Sequence, residues 1–166
     1  MFSKFWNWYE KHYLLNVSVA AGLFTLQIIH LIWLFGEVIV LKLSGVTLFH
    51  FHDSWRWLVI LVDYTEIPAL FGISLIYIND LRKRFTWKPL LYLVFLNSQW
   101  LHIFWITDTF VVNSFTGAGT VFPGFLAWIA ILIDYLEVPV MVETFKKLFV
   151  AIKERDRTLM KVAFEE

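Results

Sequence analysis

The sequence predicts an all-α integral membrane protein whose four transmembrane helices form an up-down-up-down bundle. Its 166 residues are 59% hydrophobic and only 17% charged, which is far more apolar than a soluble domain. Most of its Lys and Arg residues lie in segments that would share one side of a membrane. Short motifs also recur in both halves of the chain. The first two features indicate a polytopic membrane protein, and the third indicates two parallel two-helix repeats.

Four apolar stretches are long enough for helices that cross a bilayer, which need about 20 mostly apolar residues. Charged or turn-forming residues bound these stretches at 42–45, 79–84 and 113–124, and residues of this kind commonly mark helix ends and loops. The predicted spans lie near 14–41, 54–79, 89–112 and 122–146.

These spans divide a single membrane domain, 1–166, into two repeats of two spans each. The first repeat covers about 14–79 and the second about 89–146, and a cytoplasmic helical tail is predicted for 147–166. Repeats that hold two spans enter the membrane in the same direction, so an axis along the membrane normal relates them.

The distribution of Lys and Arg predicts the orientation. Twelve of the fourteen lie in the N-terminal segment, the middle loop or the C-terminal segment, and only Lys42 and Arg56 lie on the other side. Because basic residues concentrate in cytoplasmic loops, both termini and the middle loop are predicted to be cytoplasmic. We therefore expect a multi-pass protein of the cell or plasma membrane.

The composition also excludes several classes of function. The chain has no cysteine, which excludes disulfides, thiolate metal sites and covalently attached c-type haem. Its formal net charge is zero, whereas nucleic-acid-binding proteins carry strong basic patches. The expected partners are therefore the lipid bilayer and a lipid, quinone or other small-molecule substrate, and not nucleic acid.

Two motifs occur once in each half of the chain. Residues 27–34 read QIIHLIWL and residues 99–106 read QWLHIFWI. Residues 63–68 read DYTEIP and residues 134–139 read DYLEVP. Ionisable groups inside apolar spans are costly and usually functional. Both copies retain one His, one Asp and one Glu, which together form a metal-ligand set.

The six ionisable residues are predicted to meet at one level of the bundle. Side chains three residues apart share a helix face, so each Asp-x-x-Glu motif can direct both carboxylates to the axis. Four buried carboxylates would be intolerable alone, but two divalent cations balance their charge. The predicted metal ligands are His30, Asp63, Glu66, His102, Asp134 and Glu137.

Further residues of each copy are predicted to surround these ligands. A Gln one turn before each His is expected to accept an imidazole N–H or to hold a carboxylate. The Tyr after each Asp is expected to hydrogen-bond across the site or to a metal-bound water, and the Trp one turn after each His to exclude water. Plain helix packing is the alternative for this set. These residues are Gln27, Gln99, Tyr64, Tyr135, Trp33 and Trp105.

Two acids outside this level, Glu37 and Asp108, are predicted to line an access path from the outer side. They follow the histidines by roughly 9–10 Å at 1.5 Å per residue, which is too far to share a metal with them. The outer-loop residues His50, His52 and Asp53 fit a solvated loop better than a cap on this path.

The ligands suit two divalent ions, with iron or zinc as first candidates and manganese as the third. The ligand set resembles that of the ferritin-like di-metal carboxylate bundles, in which two helices supply a Glu and the other two supply Glu-x-x-His. In this chain two helices supply a His and the other two supply Asp-x-x-Glu. Iron would support oxidation by O₂ or peroxide of a lipid, quinone or other small molecule. Zinc would support hydrolysis through an activated bridging water.

Three alternatives stay open at this point. A proton- or metal-ion transporter would use the same mid-depth carboxylates, and a chain this small would then need to form a homodimer. A b-type cytochrome would use His30 and His102 as axial haem ligands. Polar groups can also simply join membrane helices through hydrogen bonds, although Asn, Gln, Ser or Thr would do so at lower desolvation cost.

Overall fold

The computed structural model describes residues 2–48, 53–117 and 125–164, and every regular element in these ranges is helical. His50 and His52 therefore lie outside the described residues, and so does the start of the fourth predicted span. Side chains are described as far as Arg155, except those of Phe2, Asp53, Ser54, Arg56 and Phe110.

The first half of the chain begins with a short helix, which is followed by a long continuous helical stretch that we call a rod. Helix α1 (Phe2–Lys11) precedes α2 (Tyr13–Trp33), which continues as a π-helical segment (Leu34–Ile39) and then as α3 (Val40–Ser44). The rod ends at Gly45, whose φ of 75° is a left-handed conformation that glycine adopts at little cost.

A break in the second predicted span separates α4 (Asp53–Tyr64) from α5 (Glu66–Lys83). Thr65 lies between them, and its backbone N–H donates to the carbonyl of Val62 at 2.9 Å. Pro68 then falls in the first turn of α5, where a missing N–H leaves no intrahelical bond unmade. A proline inside an apolar span predicts a kinked helix, whereas in this half the structure has a helix boundary next to Pro68.

The second half contains a second rod, but the helix that follows this rod is not interrupted. Helix α6 (Trp87–Ile106) continues as a π-helical segment (Thr107–Val112) and as α7 (Asn113–Thr116). Helix α8 (Leu126–Phe164) then runs on through Pro139. A kink is predicted at Pro139 as well, and the helix continues through that position without a break.

Three of the four predicted spans are helical stretches that are long and apolar enough to cross a membrane. By length and composition alone, the described residues contain three such stretches, Tyr13–Ser44, Trp57–Lys83 and Trp87–Thr116. The fourth predicted span, 122–146, is different because residues 126–143 of α8 carry three acids. This stretch therefore differs from the other three in its number of charged residues, since each of them contains an 18-residue window with two or fewer.

The long helices pack around a shared core. Helix α8 packs against α2 and α6, and α5 packs against the same two helices. The faces turned away from the core carry large exposed apolar side chains. Examples of exposed residues are Leu15, Val19, Ile29, Ile32, Leu61, Leu101, Phe104 and Leu132, and examples of core residues are Val17, Phe24, Ile73, Ile76, Leu96 and Val140.

Charged side chains pair at the end of the helices where α1, α5, α6 and α8 meet. Surface ion pairs contribute only about 0–1 kcal/mol each, so they position these ends more than they stabilise the fold. They bring the N-terminal helix and the basic middle loop to the same end, which the distribution of Lys and Arg also indicated. The pairs are Lys147 with Asp80 at 2.6 Å, Lys88 with Glu143 at 2.8 Å, and Arg82 with Glu10.

Candidate metal centre

All six predicted ligands lie in the core between the long helices. Each has an exposed fraction of 3% or less, although ionisable side chains are rarely buried so completely unless they are paired. One histidine comes from each rod, and the carboxylates come from the helices that follow each rod. The residues are His30 on α2, Asp63 on α4, Glu66 on α5, His102 on α6, and Asp134 and Glu137 on α8.

Asp134 lies between the two imidazoles. Its Oδ1 atom is 2.9 Å from Nδ1 of His102, and its Oδ2 atom is 3.7 Å from Nε2 of His30. Asp63 lies on the other side of His30, with its Oδ1 atom 2.5 Å from Nδ1. The two imidazole rings are 6.0 Å apart between centroids. The two halves of the chain therefore meet at this cluster.

The contacts between these groups leave much of their hydrogen-bonding capacity unused. Each of the six residues has at least one buried nitrogen or oxygen that forms no hydrogen bond within the described part of the chain. Leaving a buried polar group unpaired costs about 1–3 kcal/mol, so several such atoms in one place require another partner. Donor atoms gathered in this way could serve as ligands of a metal ion. They include both imidazole nitrogens of His30 and of His102 and both carboxylate oxygens of Asp134.

Two groups of three residues in the described chain can hold a metal ion. One group is His30, Asp63 and His102, and the other is Glu66, His102 and Asp134. Within each group the ligand atoms lie within 4.8 Å of one another. Five of the six predicted ligands thus belong to a group whose ligand atoms are close enough to share one ion, and His102 belongs to both groups. Glu137 belongs to neither, although it is buried one turn beyond Asp134 on α8.

The cluster contains four acids but has no basic residue among them other than its histidines. No Lys or Arg is among the buried residues in the described ranges. Burying a carboxylate without a compensating charge costs several kcal/mol. Unless the carboxyl groups are protonated, the charge that balances them must therefore come from the two imidazoles or from a bound cation.

The two glutamines bind differently from the prediction. Gln27 donates to the carbonyl of Val62 and to the hydroxyl of Thr65, each at 3.1 Å, and Gln99 donates to the carbonyl of Ile133 at 3.1 Å. Each glutamine therefore holds the backbone next to an aspartate, and not an imidazole or a carboxylate. In both halves, the side-chain amide donates to a backbone carbonyl of the neighbouring helix and not to a predicted ligand.

The two tyrosines form hydrogen bonds between the two halves of the chain. The hydroxyl of Tyr64 is 2.7 Å from that of Thr107, which itself donates to the carbonyl of Ile103, so Tyr64 is the donor. Tyr135 donates to the carbonyl of Leu31 at a longer 3.5 Å. Each tyrosine thus connects its own half of the chain to the rod of the other half.

The two tryptophans stand beside the histidines and close an inner cavity. Trp33 and Trp105 have ring centroids 5.9 and 6.1 Å from those of His30 and His102. The inner cavity, which is lined by these four rings, Asp63 and apolar side chains, has a volume of about 50 Å³. That volume accommodates water, which needs about 10–15 Å³, but not a macrocycle, since ligand pockets hold about 300 Å³ or more. The geometry thus disfavours the cytochrome interpretation.

The two acids of the predicted access path lie in the π-helical segments. Glu37 belongs to Leu34–Ile39 and Asp108 to Thr107–Val112, and π-helical turns are frequent at functional sites. The Oε1 atom of Glu37 is buried without a hydrogen-bond partner in the described residues, and so is Oγ1 of Thr109. A path for ions or substrate through these segments stays a prediction.

The sequence analysis missed the threonines around the cluster. Thr65 hydrogen-bonds Gln27, and Thr107 accepts the hydrogen bond of Tyr64. Their counterparts in the other copy are Leu136 and Phe35, so a comparison of the two copies gives no signal for either threonine. A search for hydroxyl side chains near the acids would have found Thr65.

Comparison with known proteins adds no assignment. A scan against protein-family models and searches of curated proteins and of solved structures find no match. The buried cluster and its surroundings are therefore the basis on which a function is inferred.

Proposed function

We propose that this chain is a membrane-embedded metal protein whose core holds two divalent cations between its two halves. The observation that carries the proposal is the position of Asp134, whose two oxygens lie nearest to different imidazoles. A carboxylate placed in this way is suited to bridge two ions. With iron the protein would act as an oxidoreductase, and with zinc as a hydrolase.

The donor set supports two ions with nitrogen and oxygen ligands. His30 and Asp63 would bind one ion, His102 and Glu66 the other, and Asp134 both. Glu137, one turn beyond Asp134, would complete the second set. Imidazole and carboxylate ligands suit iron, zinc and manganese. Four carboxylates and two divalent cations also sum to zero charge, which is the condition for burial in an apolar core.

Charge neutralisation also supports α8 as the fourth membrane span of an up-down-up-down bundle. Two of the three acids in residues 126–143 of α8 are the buried Asp134 and Glu137. Once a cation balances them, the outward face of this stretch carries apolar side chains such as Leu132 and Val142. The packing of α8 against α2 and α6 fits the same arrangement.

Metal content and stability of the full chain test the proposal together. The protein is purified in detergent, reconstituted with Fe²⁺, Zn²⁺ or Mn²⁺, and analysed for bound metal by mass spectrometry. We expect two ions per chain and a fall in unfolding temperature after chelation, since a ligand present at 100 times its Kd stabilises by about 2.7 kcal/mol. Glu66→Gln should lower both quantities. Glu143→Gln, the same change at an exposed ion pair, should lower neither.

The sign of the stability change identifies the opposite result. Without a bound ion, the core balances its charge only if at least two carboxyl groups are neutral and each remaining carboxylate is matched by a protonated imidazole. In that case Glu66→Gln replaces a costly acid with a neutral amide and leaves the protein equally or more stable. A chain that stays metal-free after reconstitution, and in which Glu66→Gln is not destabilising, would overturn the proposal.

A further inference from the structure

Two apolar grooves occupy corresponding places in the two halves. Groove one lies between α2 and α4 and has a volume of about 150 Å³. Groove two lies between α6 and α8 and has a volume of about 220 Å³. Every position that lines groove one, except that of His30, has its sequence counterpart in the lining of groove two. Three of these pairs are Trp33 and Trp105, Leu58 and Ile129, and Val62 and Ile133.

The one exception distinguishes the grooves chemically. Groove one is lined by the predicted ligand His30, whereas groove two is lined by Phe104 and not by His102. Groove one also shares Trp33 and Val59 with the inner cavity beside the cluster, so these two side chains and His30 form the partition between them. Groove two shares only Trp105 with that cavity. Groove one is therefore the one that leads to the ligands.

The lining of groove one selects an apolar occupant. No Lys, Arg, Asp or Glu lines it, so an ion, a phosphate or a charged headgroup would find no partner there. Its outer side chains Ile29, Trp55 and Leu58 are about half-exposed, with exposed fractions of 59%, 50% and 47%. A volume of about 150 Å³ is below the roughly 300–1,000 Å³ of pockets that enclose a whole small ligand. A groove of this volume fits part of a long apolar molecule whose remainder stays in the bilayer.

We infer that groove one binds the acyl chain of a membrane lipid and presents it to the His30 side of the metal centre, which makes a lipid acyl chain the substrate of that centre. This inference rests on the proposed function. Groove two, with nearly the same walls but no ligand, binds lipid only as the rest of the outer surface does.

A photoreactive lipid tests the inference with a matched pair of variants. The full chain is placed in phosphatidylcholine nanodiscs that contain a phosphatidylcholine with a diazirine in mid-chain, and crosslinks are mapped by mass spectrometry. Leu58→Trp fills groove one and Ile129→Trp fills groove two at the corresponding position. Neither residue lines the inner cavity. Metal content is measured in the same preparations.

We expect crosslinks to 29–33 and 55–62 that saturate at one lipid per chain. Overfilling a packed site is costly, so Leu58→Trp should lower this yield by about tenfold or more, while Ile129→Trp leaves it unchanged. Crosslinks that rise without saturation and equally in both grooves would overturn the inference, and so would an unchanged yield in Leu58→Trp. Saturable crosslinking to a chain that binds no metal would overturn the proposed function instead, because the groove would then bind lipid without a centre to serve.

Discussion

The two halves of the chain carry the same motifs but place them in different surroundings. His30 lies within 4 Å of two aspartates, one from each half, whereas among the described residues Asp134 is the one aspartate within 4 Å of His102. Within 4 Å, Asp63 contacts one imidazole and Asp134 contacts both. A duplicated motif therefore does not produce two equivalent sites here. The second half supplies the central carboxylate, and the first half supplies the histidine that faces groove one.

The helices that carry the acids differ in the same way. In the first half, the helix is interrupted at Thr65, so that Asp63 and Glu66 belong to different helices. In the second half, Asp134 and Glu137 lie on the uninterrupted helix α8. Continuous helix holds two side chains three residues apart in a fixed relation. The break in the first half leaves its two acids free to face different groups, which fits the separate metal groups to which they belong.

The largest expected effect is a difference between two equivalent-looking substitutions, Asp134→Asn and Asp63→Asn. Because Asp134 lies between both imidazoles, its loss should weaken the binding of both ions, by roughly 100-fold or more as for breaking a buried charge pair. Asp63→Asn should weaken only the ion at His30 and leave one ion per chain. Metal analysis after dialysis against graded chelator concentrations measures this difference.

Asp80→Asn serves as the control for this pair, because Asp80 pairs with Lys147 at the charged end of the helices. It should retain both ions. Equal metal loss in Asp134→Asn and Asp63→Asn would show that the two halves contribute equally and that Asp134 is not shared.

Much of the fold and of the cluster follows from spacing along the chain. The apolar stretches predict long helices, and three of them are helical and apolar enough to cross a membrane. The convergence of the acids and histidines in one core follows from the three-residue spacing of each acid pair and the similar depth of each His. These properties are local or periodic, so a sequence contains them.

Properties that depend on contacts between helices could not be predicted in the same way. The glutamine amides were assigned to the ligands, but each reaches a backbone carbonyl of the neighbouring helix first. The central position of Asp134 depends on how α8 crosses both rods, and no spacing along the chain fixes that. Groove one and groove two are likewise formed by side chains of separate helices, so their difference appears only in three dimensions.

A smaller effect is expected from the glutamines. Gln27 holds Val62 and Thr65 beside Asp63, while Gln99 holds Ile133 beside Asp134. Residues that orient metal ligands typically change affinity by about 10- to 100-fold. Gln99→Leu should therefore weaken both ions within that range, because it displaces the shared Asp134, and Gln27→Leu only one.

Competition with a metal-binding dye measures the affinity of each ion in these variants. Asn97→Leu is the control, since Asn97 is an exposed amide on the same helix as Gln99 that donates to Leu93 at 2.8 Å and to Ser74 at 3.4 Å, away from the six acids and histidines. It should leave both affinities unchanged. A uniform loss in all three variants would mean that the effect is on the fold and not on the ligands.

The smallest expected effect concerns the two tyrosines that connect the halves. The hydrogen bond from Tyr64 to Thr107 is short, at 2.7 Å, whereas that from Tyr135 to Leu31 is 3.5 Å, at the limit of a hydrogen bond. Tyr64→Phe should lower the free energy of unfolding by about 0.5–1.5 kcal/mol, and Tyr135→Phe should change it by less. A denaturant titration of both variants, with Thr107→Val alone and combined with Tyr64→Phe, measures the coupling between Tyr64 and Thr107. A larger loss from Tyr135→Phe, or no coupling in the cycle, would reverse the conclusion that the first half makes the stronger connection.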